Sequence, residues 1–437
     1  MASAQNTVAC PAMLIAAPAS GQGKTTITAA LAYHFRSQGL TVRVFKTGPD
    51  FIDPQILAFA SGHPVYQLDL WMMGESHCRE LLYRAAATAD LILIEGVMGL
   101  FDGDSSSADL AQALGVPVAA VIDAQGMAQT FAAVAHGLAT YRPELAFAGV
   151  IANKVGSAGH AKLLQEALPT DMAMLAAVAR DEAIGLPSRH LGLLQADEIG
   201  DLSARLARAA ELLNGFGPCR LPQAAQFEPV RCEPPPALLA GLRIAVARDA
   251  AFSFIYQANL DCLLAMGAEL AFFSPLADSA LPEADSVYLP GGYPELHLAA
   301  LAGNQAMKQA LRQHHSRGKA IYAECGGFLY LLESLADKQG QAAEMVGLLP
   351  GRAQMQSRLA NLGMHSLTLP QGEIRGHSFH FSILETELQP QQYSQPLRRF
   401  GHGEGFFRDG ALQASYLHLY FPFNPSVAAG FFRQSGR

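Results

Sequence analysis

The sequence predicts two α/β domains in tandem, each built on a mostly parallel sheet. Three observations carry this. The chain has 437 residues, more than one ordinary domain and suited to two cores of roughly 200 residues each. Short apolar runs alternate with amphipathic stretches in both halves. Between the halves, residues 214–240 hold clustered glycines and prolines, including Pro234-Pro235-Pro236, with no periodicity, which reads as a linker.

In residues 1–213 the apolar runs fall at 13–17, 42–45, 91–94, 118–122 and 147–151, mostly Val, Ile, Leu or Ala. Near-continuous apolar strands of this length, separated by helices, imply a parallel sheet covered on both faces. Helices are expected at 25–38, 107–114 and 130–141, with 197–213 closing the domain. In residues 241–437 the pattern restarts with a strand at 242–247. It continues through a helix at 256–266 and strands at 270–273, 286–289 and 320–323, and ends near Phe423.

Composition narrows the function. The formal net charge is -8, which argues against nucleic-acid and anionic-membrane partners. A polyanionic ligand would need basic residues gathered locally; Arg375, His377, His380, Arg398 and Arg399 are close in sequence. Six cysteines without C-x-x-C spacing indicate neither zinc nor a disulfide framework, and fit a reducing cytoplasm. Met1–Pro11 shows no signal-peptide pattern, and no stretch reaches the ~18 uninterrupted apolar residues of a membrane span.

Two motifs carry chemistry. Pro18-Ala19-Ser20-Gly21-Gln22-Gly23-Lys24-Thr25-Thr26 lies between an expected strand and helix. Its Gly23-Lys24-Thr25 end matches a phosphate loop, where backbone N–H groups wrap phosphates, a lysine reaches the terminal ones and a hydroxyl holds Mg²⁺. Pro18 stands where the leading glycine is expected, and Gly21 supplies flexibility instead. Lys46, Glu95 and Asn153 follow later strands, at the edge where ligands of parallel α/β sheets collect. A carboxylate directly after a buried strand is costly unless it binds something, and Mg²⁺ at Thr25 is the partner expected for Glu95.

The second motif is Ala323-Glu324-Cys325-Gly326-Gly327. It reads as strand, sharp turn and helix, presenting Cys325 as a nucleophile at a helix N-terminus that should lower its thiol pKa. This resembles the G-x-C-x-G elbow of class I glutamine amidotransferases, with Ala323 for the first glycine. His418 in Tyr416-Leu417-His418 resembles the family's base; Tyr420 stands two residues on, where those glutaminases have an orienting Glu, so the third member of the triad stays open. Pro290-Gly291-Gly292-Tyr293-Pro294-Glu295 resembles the loop that pairs with the elbow, implying an oxyanion hole from Gly292 or Tyr293 together with Gly326.

Phe45-Lys46-Thr47-Gly48-Pro49-Asp50-Phe51-Ile52-Asp53-Pro54 and the segment from Glu95 to Gly103 resemble signatures of the cobyrinate and hydrogenobyrinate a,c-diamide synthase family, and the likeness covers nearly the whole chain. It implies a dethiobiotin synthetase-like P-loop domain fused to a flavodoxin-like class I glutaminase domain. It also implies ATP- and glutamine-dependent amidation of two acetate carboxylates of a corrin. On that resemblance, Gly21, Gly23, Lys24, Thr25, Thr26 and Lys46 bind the ATP phosphates and Asn153 the adenine edge. Thr25, Asp50 and Glu95 surround Mg²⁺, while Asp50, Asp53 and Asp102 position nucleotide, metal or corrin carboxylate. Arg375-Gly376-His377-Ser378-Phe379-His380 resembles the family's R-G-H-E-F-H, with Ser378 for the usual Glu, and is read as substrate-facing or inter-domain. Ammonia would pass from Cys325 to an acyl phosphate, and fold analogy implies a homodimer. Two other readings share motifs: a sirohydrochlorin a,c-diamide synthase, and a P-loop switch ATPase carrying an inert glutaminase-like module. Cobyrate synthase is disfavoured by Gly48-Pro49-Asp50.

Overall fold

The computed structural model describes residues 6–189, 192–230, 232–398 and 402–433. The chain divides into two units, Met1–Cys232 and Glu233–Arg437. In the first, seven parallel strands lie in the order Tyr66–Leu68, Val42–Thr47, Leu91–Glu95, Val8–Ala16, Val118–Asp123, Phe147–Val155 and Met174–Ala179. Helices cover both faces, so all five residues of Leu91–Glu95 are buried. Side chains alternate between two cores, as a pleated strand requires. Ala119 and Val121 join Ile27, Leu31 and Leu206, whereas Ala120 and Ile122 meet Phe131, Ala135 and Leu164.

Helix Ser107–Leu114 starts where the sequence places it because Ser106 and Asp109 form a reciprocal cap: Asp109 N donates to Ser106 Oγ at 3.1 Å, and Ser106 N to Asp109 Oδ2 at 2.9 Å. The closing helix is shorter than expected, Leu202–Leu212, after a separate 3₁₀ turn at Ala196–Glu198. The stretch 214–240 is also not linker throughout. Ala224–Phe227 pairs antiparallel with the start of the first strand, from Val8↔Phe227 to Pro11↔Ala224. Four residues are too few to show a period among prolines.

The second unit holds a seven-stranded sheet in the order Glu269–Phe273, Arg243–Ala247, Ser286–Leu289, Ala320–Glu324, Leu412–Ser415, Gly405–Asp409 and Gln392–Tyr393. The first five strands are parallel and the last two antiparallel to their neighbours. The expected βα alternation continues to helix Gly326–Leu331 and then stops. Asn361–Leu369 and Gly372–His380 form a long hairpin, and Gly372–His380 pairs in turn with His418–Leu419. Only two of nine residues in Asn361–Leu369 are fully buried, so the sequence lacks the alternation that announces a half-buried strand. This hairpin flanks the candidate base: its His377 lies opposite His418.

Replacing Ser106 by Ala should destabilise the first unit by about 1 kcal/mol. Urea unfolding followed by circular dichroism should show an earlier first transition; an unchanged midpoint would mean the reciprocal cap contributes nothing.

Candidate functional site

In the first unit the strands ending at Ala16, Thr47, Glu95 and Asp123 deliver their loops to one edge of the sheet. Gly21 and Gly23 hold φ of 80° and 93°, conformations open to glycine at little cost. Any Cβ on Gly23 would also strike the Asn153 amide. Asn153 donates to the Gln22 carbonyl at 2.9 Å, and the Gln22 side-chain oxygen accepts from Asp123 N at 2.8 Å. Helix Lys24–Ser37 begins at the end of this loop, with Thr26 half-buried in its first turn. Lys24 Nζ donates to the carbonyls of Met98 at 2.6 Å and Ala19 at 3.3 Å. The segment after Glu95 thus closes on the phosphate loop. Asp102 holds that segment by accepting from Gly99 N at 2.9 Å.

Lys46 is the hub of the acidic residues. Its ammonium lies 2.9 Å from Glu95, 3.0 Å from Asp53 and 3.7 Å from Asp50. Thr25 Oγ1 donates to Glu95 Oε1 at 2.8 Å and lies 3.4 Å from Asp53. Asp50 Oδ1 accepts from the N–H groups of Ile52 and Asp53, a turn that carries Asp53 back toward Lys46. Burial alone would lower the Lys46 pKa, but the attraction of Glu95, Asp53 and Asp50 outweighs it and holds the ammonium firmly charged. Burial pushes Glu95 up to about 7, against the pull of Lys46. Glu95 Oε2 is buried with no hydrogen-bond partner among the described residues. An orphaned carboxylate oxygen beside a threonine hydroxyl is the donor pair that a hard divalent cation takes.

In the second unit strand Ala320–Glu324 stops at a turn in which Cys325 holds φ 42° and ψ -106°. Cys325 N donates to Ser415 O at 2.8 Å, tying the elbow to the neighbouring strand three residues before His418. Gly326 sits against the Gly291–Gly292 loop: a Cβ there would come within 2.8 Å of Gly292 N. A Cβ on Gly291 would strike the His418 ring, and one on Gly292 the Ala251 carbonyl. Cys325, Gly326, Gly292 and His418 are therefore gathered around one small space that only glycines leave open. Tyr293 is packed edge-on against Phe254 at 4.8 Å, which leaves its backbone rather than its ring as a contribution to an oxyanion hole.

The expected lowering of the Cys325 pKa is not seen. Burial raises the thiol well above its ordinary value, with Glu295 adding to the effect. The helix it caps has six residues, and the lowering effect of the Gly326 N–H is outweighed by burial. Burial, reinforced by the charge of His380, pushes His418 down to about 3. Both shifts run toward a neutral thiol and a neutral imidazole in the free protein.

The segment from Arg375 to His380 belongs to this centre. The His377 ring stacks on His418 with centroids 4.9 Å apart, and its Nδ1 meets Tyr256 OH at 2.9 Å. Arg375 pairs with Glu373 at 2.7 Å, while His377 is buried and the His380 side chain is 10% exposed. They do not form a cationic surface; Arg399 lies outside the described residues. Sequence reasoning missed Gln22, Asp123 and Glu404, each a lone polar residue in a loop or at a strand end. The positive φ of Met98 and Lys154, 51° and 55°, has no composition signal.

Iodoacetamide should alkylate Cys325 in the free protein at pH 8 more than about tenfold slower than a model thiol, since only thiolate reacts. Peptide mapping by mass spectrometry reads the rate, and a Cys325 faster than the model thiol would show a preformed thiolate.

Residues 13–194 match the CobQ/CobB/MinD/ParA nucleotide binding domain family, and residues 243–425 the CobB/CobQ-like glutamine amidotransferase domain family. A hydrogenobyrinate a,c-diamide synthase of Stutzerimonas stutzeri is 58% identical over 425 residues, spanning 97% of this chain and 99% of the relative. One from Pseudomonas aeruginosa is 57% identical over 420 residues, 96% of this chain and 97% of the relative. A cobyrinate a,c-diamide synthase of Herminiimonas arsenicoxydans is 50% identical over 428 residues, 96% of each chain. Identity at this level along nearly the full length of both partners places the chain in the cobyrinate and hydrogenobyrinate a,c-diamide synthase family.

Proposed function

We propose that this protein amidates the a and c acetate carboxylates of cobyrinic or hydrogenobyrinic acid in cobalamin biosynthesis, drawing nitrogen from glutamine and activating each carboxylate with ATP. The observation that carries the reading is one chain holding both a phosphate loop closed by Lys24–Met98 and a cysteine elbow packed on Gly292, whose neighbour Gly291 meets the His418 ring.

In the glutaminase half, Cys325 Sγ attacks the glutamine side-chain carbonyl as its proton passes to His418. The N–H groups of Gly326 and of Gly292 or Tyr293 stabilise the tetrahedral oxyanion. His418 returns the proton to the departing nitrogen, releasing ammonia. Water then cleaves the thioester, giving glutamate. The burial that pushes His418 down to about 3 makes proton return to the departing nitrogen favourable.

In the nucleotide half the acetate carboxylate takes the γ-phosphoryl of ATP, becoming an acyl phosphate that ammonia attacks with loss of phosphate. Lys24 exchanges the Met98 and Ala19 carbonyls for phosphate oxygens, and Lys46 adds its charge through the Asp53–Glu95 cluster. Gly21, Gly23 and Thr26 line the loop, Asp102 braces it, and Asn153 keeps its loop contact while turning its remaining amide hydrogen to the adenine edge. The oxygens of Thr25, Asp50 and Glu95 fit Mg²⁺, which when bound neutralises phosphate charge during transfer. Among the described residues no three His, Cys, Asp or Glu side chains form a cage for a metal. That suits a cation which keeps waters and substrate phosphates as ligands. The six free cysteines fit a reducing cytoplasm, and among the described residues no helix is long and apolar enough to cross a membrane. The dethiobiotin synthetase analogy supports a homodimer.

Purified protein with Mg²⁺-ATP and glutamine should release ADP and glutamate in the presence of hydrogenobyrinate or cobyrinate, and mass spectrometry should find two added amides. Cys325→Ala should lower glutamine-supported synthesis by at least about a thousandfold while ammonium salts still support it. Turnover with sirohydrochlorin alone would reassign the acceptor. Acceptor-independent ATP hydrolysis without amide formation would overturn the proposal.

A further inference from the structure

Glu404 is a buried carboxylate, 7% exposed, that the reaction above does not use. One of its oxygens accepts from three side chains: His380 Nε2 at 2.9 Å, Ser378 Oγ at 2.6 Å and Asn361 Nδ2 at 2.5 Å. Its backbone N–H donates to Ser394 Oγ at 2.8 Å. His380 Nδ1 lies 3.0 Å from the Ser382 carbonyl. The two ring nitrogens of His380 thus face the Ser382 carbonyl and the Glu404 carboxylate, which hold the ring from both sides.

That ring lies flat on Tyr416, with centroids 3.8 Å apart and planes 10° from parallel, a stacked pair. Ser382 Oγ donates to the Tyr416 hydroxyl at 3.0 Å. Tyr416 is the residue between two fixed points of the centre. Ser415, before it, accepts the Cys325 N–H, and its hydroxyl donates to the carbonyl of Gly405, the neighbour of Glu404. His418 follows two residues after. Tyr420, where an orienting carboxylate would be expected, instead packs edge-on against Tyr256 at 5.7 Å.

We propose that Glu404 is the positioning carboxylate of the glutaminase centre: it fixes the His380 ring as a platform for Tyr416, and through Tyr416 sets the segment that aligns Cys325 with His418. Ser378 is part of the same device. Its hydroxyl touches Glu404, so a carboxylate placed on residue 378 reaches the same donors. The carboxylate that residue 378 lacks is delivered from the loop before Gly405–Asp409. Burial opposes charge on Glu404, yet the hydrogen bonds from its three donors hold it below the ordinary carboxylate range.

This inference rests on the glutaminase reading above, and one experiment separates the two. Glutamate release is measured with ATP and hydrogenobyrinate present, for wild type, Glu404→Gln, Glu404→Ser and the double variant Ser378→Glu/Glu404→Ser, with melting curves for each. Glu404→Gln should lower kcat for glutamine by roughly tenfold to a hundredfold, the scale of losing a residue that orients a catalytic group, with KM within about twofold. The double variant should recover most of the kcat lost in Glu404→Ser, which a merely structural carboxylate would not produce. Unchanged kcat in Glu404→Gln overturns the proposal. So does a double variant no faster than Glu404→Ser, whether or not its melting midpoint is restored. A wild type that hydrolyses no glutamine defeats the earlier reading instead.

Discussion

Both centres depend on one backbone constraint: a buried parallel strand must stop abruptly and turn its next residues toward a ligand. Among the described residues only Met98, Lys154 and Cys325 combine a side chain with positive φ. Met98 follows the strand that ends at Glu95, Lys154 lies at the end of Phe147–Val155, and Cys325 directly follows Ala320–Glu324. Such conformations cost on the order of 1–3 kcal/mol each and persist only where the surroundings over-determine them. Here the surroundings are visible. Met98 is held by Lys24, Lys154 reaches Asp123 at 2.6 Å, and Cys325 is fastened to Ser415.

Charge follows from the same placement. A strand end buried on both faces puts its terminal side chain in a dry setting, so the residue is either apolar or paired. Glu95 meets Lys46 and Thr25. Glu324 accepts from the hydroxyls of Tyr288 and Tyr322 and from Leu419 N, while burial still pushes it up to about 7. The two cases differ in what is left over. Glu324 is fully occupied by its neighbours and serves the fold, whereas Glu95 keeps one oxygen unmatched among the described residues.

The parts most legible in the sequence were those whose geometry demands a particular residue. Gly23 cannot carry a side chain beside Asn153, and Gly326 cannot carry one beside Gly292, so both motifs announce themselves. Parallel strands such as Leu91–Glu95 were legible because burial on both faces leaves an unbroken apolar run. The hairpin through Asn361–His380 was not, since most of its residues are at least partly exposed and their alternation is weak. Glu404 was invisible for another reason. Its role depends on Ser378, His380 and Asn361 meeting it across more than twenty residues of chain, and no local spacing encodes that. The thiol pKa was misjudged because motif reasoning weighs the helix terminus and cannot see desolvation.

The pairing of Ala224–Phe227 with the start of Val8–Ala16 has a consequence for how such a chain can be assembled in evolution. The last strand of the nucleotide-binding unit is zipped to the first, so the places where the chain comes in and goes out lie side by side on one rim. A module closed on itself in this way presents both ends at one point. Whatever is spliced on after Phe227 pulls on a seam already sewn shut and leaves the phosphate loop, at the opposite end of the first strand, undisturbed. Gene fusion and fission at that seam are correspondingly cheap, which makes the two-unit chain a recombinable pair of parts.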